Sequence, residues 1–423
     1  MNRLLQIFRI PDLRKKVFIV AGILVVFRLL AAIPIPGIDA ARLQEYFNSN
    51  QFFGFLNFFS GGGLSNLSIL MLGVGPYITA SIIMQLMTII FPKFKELYYE
   101  QGSQGQAKFN QWSRLLTVPL ALLQSYSFLA LLIAQRVVDR PSTIALVTNI
   151  IVISAGSMIA LWLGELITEQ KIGNGISLII LAGIISSLPS SISAAIVSYT
   201  PDQLVKYIIF AVVGIAIIAA VTFLNEGERR IPIAYARRVR GNKIFGGSSS
   251  YLPLKVNQAG MIPLIFAISV LLFPQFLGQI VTLFSTHYGL LVNDMVTRFL
   301  NNQLAYGTFY FLLVFAFTYF YTAITFNPEE IAKNLQRNGG FIPGIRPGDA
   351  TEKYFASTVQ KITLFGAVFL GLVAVLPSIV QALTGISVIT ISGTAILIVV
   401  AVALETMRQI DSQLTVREYE GIE

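Results

Sequence analysis

The sequence predicts an all-α polytopic membrane protein, with about ten transmembrane helices in two inverted five-helix halves around a central pore. Three observations carry that reading. The chain of 423 residues is 55% hydrophobic and only 12% charged, with a mean hydropathy of +0.71, which no ordinary soluble domain matches. Its lysines and arginines gather in alternate loops, as the positive-inside rule requires. And residues 52–91 run hydrophobic far beyond the about 20 residues that one spanning helix takes, yet are broken by Gly61-Gly62-Gly63 and Gly75-Pro76. Non-helical backbone survives at membrane depth only where protein buries it or water lines it. A short element folded inside a helical bundle points to a passage.

The spans follow in order at 17–36, 68–91, 114–134, 144–164, 175–197, 205–224, 257–283, 304–325, 361–383 and 386–407. Each suffices to cross a hydrocarbon core of about 30 Å with modest tilt. The second is interrupted by Gly73, Gly75 and Pro76, and the fifth by Pro189. The N-terminal segment carries Arg3, Arg9, Arg14, Lys15 and Lys16. The loops after the second, sixth and eighth spans carry Lys93, Lys95 and Lys108, then Arg229 to Lys255, then Lys333 to Lys361. The opposite loops hold few basic residues, so an even span count places both termini in the cytoplasm. An odd number of spans per half would set the halves in opposite orientations, the inverted repeat of many transport proteins. The division falls at 1–200 and 201–423, with cytoplasmic loops at about 225–256 and 326–360. That repeat is expected from the count, because the halves share no evident residue similarity. The basic Met1–Lys16 segment, with no small-residue cleavage site after the first apolar run, argues against a cleaved signal peptide.

The chemistry is marked by what is missing. The chain has no cysteine and one histidine, His287, which leaves little for metal binding, thiol chemistry or general-base work. No GxxxxGK[ST] loop occurs, so no ATPase of its own is expected. Ion-coupled carriers place titratable groups in the membrane, and the spans here are nearly empty of them. Glu165 and Glu405 fall near cytoplasmic ends. Arg28, two thirds through the first span, either snorkels to the outer interface or pairs with backbone carbonyls. Ile78 and Ile82 sit four apart and share a helix face, and Ile176 and Ile180 repeat the spacing. Such a set either faces lipid and neighbouring helices or forms an aliphatic seal.

Several segments in order resemble the SecY family, the channel subunit of the general protein-translocation complex, over essentially the whole chain. They are Phe27-Arg28 with Ile33-Pro34-Ile35-Pro36-Gly37-Ile38-Asp39; Phe59-Ser60-Gly61-Gly62-Gly63-Leu64 through Gly75-Pro76-Tyr77-Ile78-Thr79-Ala80-Ser81-Ile82; and Gly173-Asn174-Gly175-Ile176-Ser177. Glu228-Arg229-Arg230-Ile231-Pro232, Leu252-Pro253-Leu254-Lys255-Val256-Asn257 and Gly344-Ile345-Arg346-Pro347-Gly348 continue the likeness.

The resemblance implies a passive channel that passes unfolded preproteins across the membrane and releases hydrophobic segments sideways into lipid. It implies a plug at 61–70, with Gly61, Gly62, Gly63, Leu64, Ser65, Asn66 and Leu67, whose glycine-rich entry lets it swing. It implies a constriction ring of Ile78, Ile82, Ile180, Ile265 and Ile398. A lateral gate would lie between spans two and three and spans seven and eight, lined by Gln85 and Asn257, which would pair when the gate is shut. Arg229, Arg230, Arg237, Arg238 and Arg346 would dock the ribosome or the SecA motor ATPase, since the planar guanidinium suits phosphate and carboxylate alike; the positive-inside rule also accounts for basic residues there. SecE-type and SecG-type small membrane subunits, signal-bearing preproteins and the lipid bilayer are the remaining implied partners, in a bacterial plasma membrane or, as the alternative, a plastid one. No cofactor and no catalytic activity are implied.

Two departures stand out. The Glu96–Gln106 loop is less charged than the family's usual version, and the tail after Arg408 is acidic, with Asp411, Glu418, Glu420 and Glu423. The competing class is a secondary transporter of a small solute, built on an inverted repeat with broken helices. An intramembrane enzyme is disfavoured, because no hydroxyl has an evident His, Asp or Glu partner.

Overall fold

The computed structural model describes residues 10–35, 60, 62–64, 67–99, 101–134, 141–197, 201, 204–235, 238–240, 243–245, 249–260, 262–384 and 387–420. Each of the ten expected spans holds a helix. In chain order the helices are α1 (Pro11–Ala31), α2 (Gly75–Ile90), α3 (Pro92–Tyr99), α4 (Gly102–Ala134), α5 (Thr143–Glu169), α6 (Gly175–Val197), α7 (Leu204–Glu226), α8 (Ile262–Phe284), α9 (Thr286–Asn301), α10 (Gln303–Thr325), α11 (Pro328–Arg337), α12 (Asp349–Thr384) and α13 (Ser387–Glu420). Among the described residues, Thr143–Glu169, Leu204–Glu226, Gln303–Arg337 and Asp349–Leu376 are long and apolar enough to cross a membrane by themselves, and α2 and α3 form one pair bent by 109°.

Local chemistry sets the helix starts. Ser142, Asn302 and Asn327 accept hydrogen bonds from Ala145 N (3.3 Å), Ala305 N (3.2 Å) and Glu330 N (3.4 Å), and so cap α5, α10 and α11. Asn174 accepts from Ile176 N (3.1 Å) and Ser177 N (3.2 Å) at the start of α6. Pro11, Pro76, Pro92 and Pro328 stand at first-turn positions, where the missing N–H costs nothing. Pro189 lies inside α6 without ending it. The second span is shorter than its hydropathy suggests. Residues 69–74 are turns, and the helix begins only at Gly75.

The helices pack as two groups with matching connectivity. In the first, α2 meets α4, α4 meets α5, α5 meets α6, and α1 lies on α5 and α6, with a lesser contact of α2 on α5. In the second, α8 meets α10, α10 meets α12, α12 meets α13, and α7 lies on α12 and α13. Two main seams join the groups: α6 against α13, and α8 against both α2 and α4. One apolar cluster runs through both groups. Serine links neighbouring helices inside it, as between Ser125 Oγ and Ser154 Oγ at 3.0 Å. Apolar side chains also cover the outside, among them Ile151 and Trp162 on α5, Ile208 and Ile215 on α7, and Leu364 and Leu372 on α12. That outward face suits lipid rather than water.

The expected loops at 225–256 and 326–360 depart from the all-helical expectation. Strands β1 (Glu228–Tyr235), β4 (Ser249–Lys255) and β5 (Gly340–Phe341) form a three-stranded antiparallel sheet in the order β4-β1-β5, with Ile231 opposite Leu252 and Ala234 opposite Phe341. Strands β2 (Arg238–Arg240) and β3 (Lys243–Phe245) form a separate antiparallel pair. Ile231 and Ile233 alternate inward along β1. A second, smaller core of Ile231, Leu254, Ile342, Phe355 and Val359 ties this sheet to α12.

Candidate functional site: a buried segment and an isoleucine cluster

The candidate site begins with the chain between α1 and α2. The backbone leaving α1 pairs with this segment: Leu67 O accepts from Ile35 N (2.9 Å), and Ile33 O accepts from Ile69 N (3.0 Å). Ser60 Oγ accepts from Leu64 N (3.0 Å), Gly63 O from Ser68 N (2.9 Å), and Ser68 Oγ from Leu70 N (3.2 Å). These turns satisfy their own polar groups, which is what allows non-helical backbone to lie buried. Leu64, Leu67, Leu70, Met71, Leu72 and Val74 all belong to the main apolar cluster. The described part of the expected plug is thus packed and hydrogen-bonded. Gly61, Ser65 and Asn66 lie outside the described residues.

The five isoleucines come from α2 (Ile78, Ile82), α6 (Ile180), α8 (Ile265) and α13 (Ile398). Their exposures are 4%, 5%, 0%, 7% and 3%. All five belong to the same apolar cluster as the segment. Both helix groups contribute, and so do both seams.

The polar pair is arranged differently from its expected pairing. Asn257 Nδ2 donates to Asn225 Oδ1 (2.8 Å) and to Gly260 O (3.1 Å), within the second helix group. Asn257 Oδ1 and Gln85 Oε1 are buried without a hydrogen-bond partner. No hydrogen bond therefore joins Gln85 to Asn257 in this state. The reason is proximity: Asn225, at the end of α7, meets Asn257 just before α8. Across the seam, α2 is fastened to α4 by Gln124 Nε2 donating to Thr79 Oγ1 at 3.4 Å. A small cavity lined by Val221, Leu224, Asn225, Asn257, Leu264 and Phe369 lies beside the asparagine pair. Asn225 carried no signal in the sequence, because one asparagine at a helix end reads as a solvated terminus.

On the three-stranded sheet, Arg230 Nε donates to Glu228 Oε1 at 2.7 Å, and its guanidinium carbon lies 4.9 Å from the Tyr251 ring centre. The hydrogen bond and charge of Glu228, and then Tyr251, push the Arg230 guanidinium up from its ordinary value. Arg229 is exposed next to it. Arg238 lies in β2, and Arg237 is outside the described residues. Arg346 is exposed on a tight turn between Gly344 (φ 84°) and Gly348 (φ 96°). Thr351 Oγ1 donates to Arg346 O at 2.8 Å and Ile345 N to Ile342 O at 3.0 Å, which fixes that turn. Among the described residues, no group of three His, Cys, Asp or Glu side chains is placed to hold a metal ion.

A polytopic helical protein whose core encloses a non-helical segment of its own chain, between two helix groups of like connectivity, belongs to the class of membrane channels and transporters. The family model described as SecY matches residues 68–407. Protein translocase subunit SecY of Mycobacterium bovis is 40% identical over 436 residues, covering 98% of this chain and 97% of that protein. The corresponding subunit of Streptomyces galbus is 41% identical, with 98% of each covered. A solved protein conducting channel superposes with a TM-score of 0.65 at 19% identity, covering 93% of this chain and 91% of that one. Sec61 in the canine ribosome–channel complex from the endoplasmic reticulum gives a TM-score of 0.62 at 19% identity, with the same coverage. The chain belongs to the SecY family.

Proposed function

We infer that this chain is the channel-forming subunit of a protein translocase, passing unfolded preproteins across the membrane and releasing hydrophobic segments sideways into lipid. The carrying observation is that Leu64, Leu67, Leu70, Met71, Leu72 and Val74 and five isoleucines from four helices share one apolar cluster. In this reading the segment is the plug, and Ile78, Ile82, Ile180, Ile265 and Ile398 are the constriction. A hydrophobic constriction excludes ions by dewetting, yet aliphatic side chains yield to a bulky chain.

The like pairings of the two helix groups support ten spans in two inverted five-helix halves, 1–200 and 201–423. The α8 seam against α2 and α4 is the lateral gate. Gln85 and the α8 entry near Asn257 are the polar lining that a passing segment meets. The energy comes from outside the chain. SecA or the ribosome docks on Arg229, Arg230, Arg237, Arg238 and Arg346, and SecE-type and SecG-type subunits complete the complex. The Mycobacterium and Streptomyces relatives support a bacterial plasma membrane, and the basic loops support cytoplasmic termini.

The test is reconstitution in proteoliposomes with a SecE-type subunit, adding SecA, ATP and a signal-bearing preprotein. ATP-dependent protease protection that vanishes without the signal sequence is expected. No protection, with the cofactors verified on a working translocon, overturns the reading in favour of a small-solute transporter.

A further inference from the structure

The charged side chain of the first span is the group that the channel reading leaves without a role. Arg28 lies in the last turn of α1, the helix that packs on α5 and α6. Its guanidinium reaches the buried segment. A Cβ built on Gly62 would lie 2.9 Å from Arg28 Nη1 and 3.4 Å from Ser186 Oγ of α6. Gly62 itself has a φ of 82°, which side-chain-bearing residues rarely adopt. Only glycine therefore allows the guanidinium to come this close to the segment's backbone. Ser186 Oγ donates to Gly183 O at 2.8 Å, which leaves its oxygen able to accept a further hydrogen bond. Three elements thus converge at Gly62: the end of α1, the middle of α6 and the turn at 62–64.

We propose that Arg28 is a positioning residue that latches the plug shut, its guanidinium seated against Gly62 beside Ser186 and holding the 62–64 turn to α1 and α6. The proposal rests on the plug reading above and adds the group that sets the plug's resting position. An arginine suits the task. It presents five N–H donors in a fixed plane, stays charged at every physiological pH, and gains most from polar contacts where water is scarce. Leu64, two residues on, is 1% exposed, so plug displacement is read directly as its exposure. Lysine in place of Arg28 would keep the charge and lose the planar fork.

The absence of cysteine in the chain makes the test clean. Leu64→Cys is introduced as the reporter, and Ile153→Cys, fully buried on α5, as the control. Each is placed in the full chain with its SecE-type subunit in proteoliposomes and exposed to a membrane-impermeant maleimide. Arg28→Gln is expected to raise labelling at Leu64→Cys in the resting channel by at least about tenfold, the equilibrium equivalent of one lost polar contact to a charged group. Ile153→Cys stays protected, and Arg28→Lys gives an intermediate rate. Unchanged labelling at Leu64→Cys in Arg28→Gln overturns the latch, and so does equal labelling of both cysteines, which would mean a loosened bundle. A third arm adds a translocating preprotein to the chain with Arg28 intact. Labelling of Leu64→Cys there, with none in resting Arg28→Gln, sinks the latch and leaves the plug reading standing. Protection throughout active translocation sinks the plug reading itself.

Discussion

Replacing Ile78 and Ile82 together by alanine tests the seal most directly. Both are nearly inaccessible, and they lie four apart on α2, so they offer one continuous apolar face. Alanine is preferable to glycine, which would add a helix cost of up to about 1 kcal/mol per site and blur the result. Each substitution removes three carbon atoms, or about 2.4 kcal/mol of water-excluding apolar surface at about 0.8 kcal/mol per carbon, and about 5 kcal/mol for the pair. If only a quarter of that lowers the barrier to water and ions, resting conductance rises about sevenfold, since about 1.4 kcal/mol is a factor of ten. The assay is conductance in a planar bilayer, with the chain and its small subunit present and no preprotein. Ile208→Ala with Ile215→Ala is the matched control, because those two side chains are 54% and 68% exposed on the outer face of α7. Equal conductance in both pairs, with equal amounts of reconstituted protein, would refute the reasoning.

Other outcomes follow from single contacts. A Cβ at Gly156 of α5 would run into the Ile69 carbonyl, so Gly156→Ala should cost about 1–3 kcal/mol through overpacking, seen as a lower Tm in detergent. An unchanged Tm would mean that the segment is not held against α5. Asn225→Leu alone leaves Asn257 Nδ2 without its partner at 2.8 Å, at a cost of about 1–3 kcal/mol. The double change to leucine should recover much of that, and additive losses in thermal melts would deny that the two act as a pair. Arg346→Glu should abolish SecA-driven translocation while membrane levels of the protein stay intact, measured by protease protection beside immunoblot. Loss of the protein itself would assign the fixed turn a folding role instead. Arg230→Ala, which breaks an exposed pair with Glu228, should leave the Tm unchanged, because such pairs contribute little in water.

The spans were legible because hydrocarbon imposes a length and a polarity that few soluble sequences imitate. The break before α2 was equally legible, since Gly75 and Pro76 mark a helix start. The sheet at 228–255 was harder to see. Its inward alternation covers only Ile231 and Ile233, and its third strand, Gly340–Phe341, arrives from another loop some hundred residues later. The partner of Asn257 was hidden for a like reason. The family likeness pairs it with Gln85 across a seam when the gate is shut, whereas here the end of α7 brings Asn225 to it. The five isoleucines were a weak signal on spacing alone, because aliphatic residues at helical intervals serve lipid and core equally.

By itself, then, the sequence determined the solvent in which this protein lives, the order of its apolar helices, and the break in the second span. These follow from transfer free energies and backbone chemistry that act over a few residues. Tertiary structure alone decided that Ile78, Ile180, Ile265 and Ile398 share one cluster. It alone decided that Leu64, Leu67 and residues 70–72 lie within that cluster, and that Arg28 meets Gly62 beside Ser186. Those meetings depend on which helix faces pack together, and inside a membrane nearly every face is apolar. Small residues, helix ends and scattered polar groups then choose the partners, and that choice is made between residues far apart in the chain.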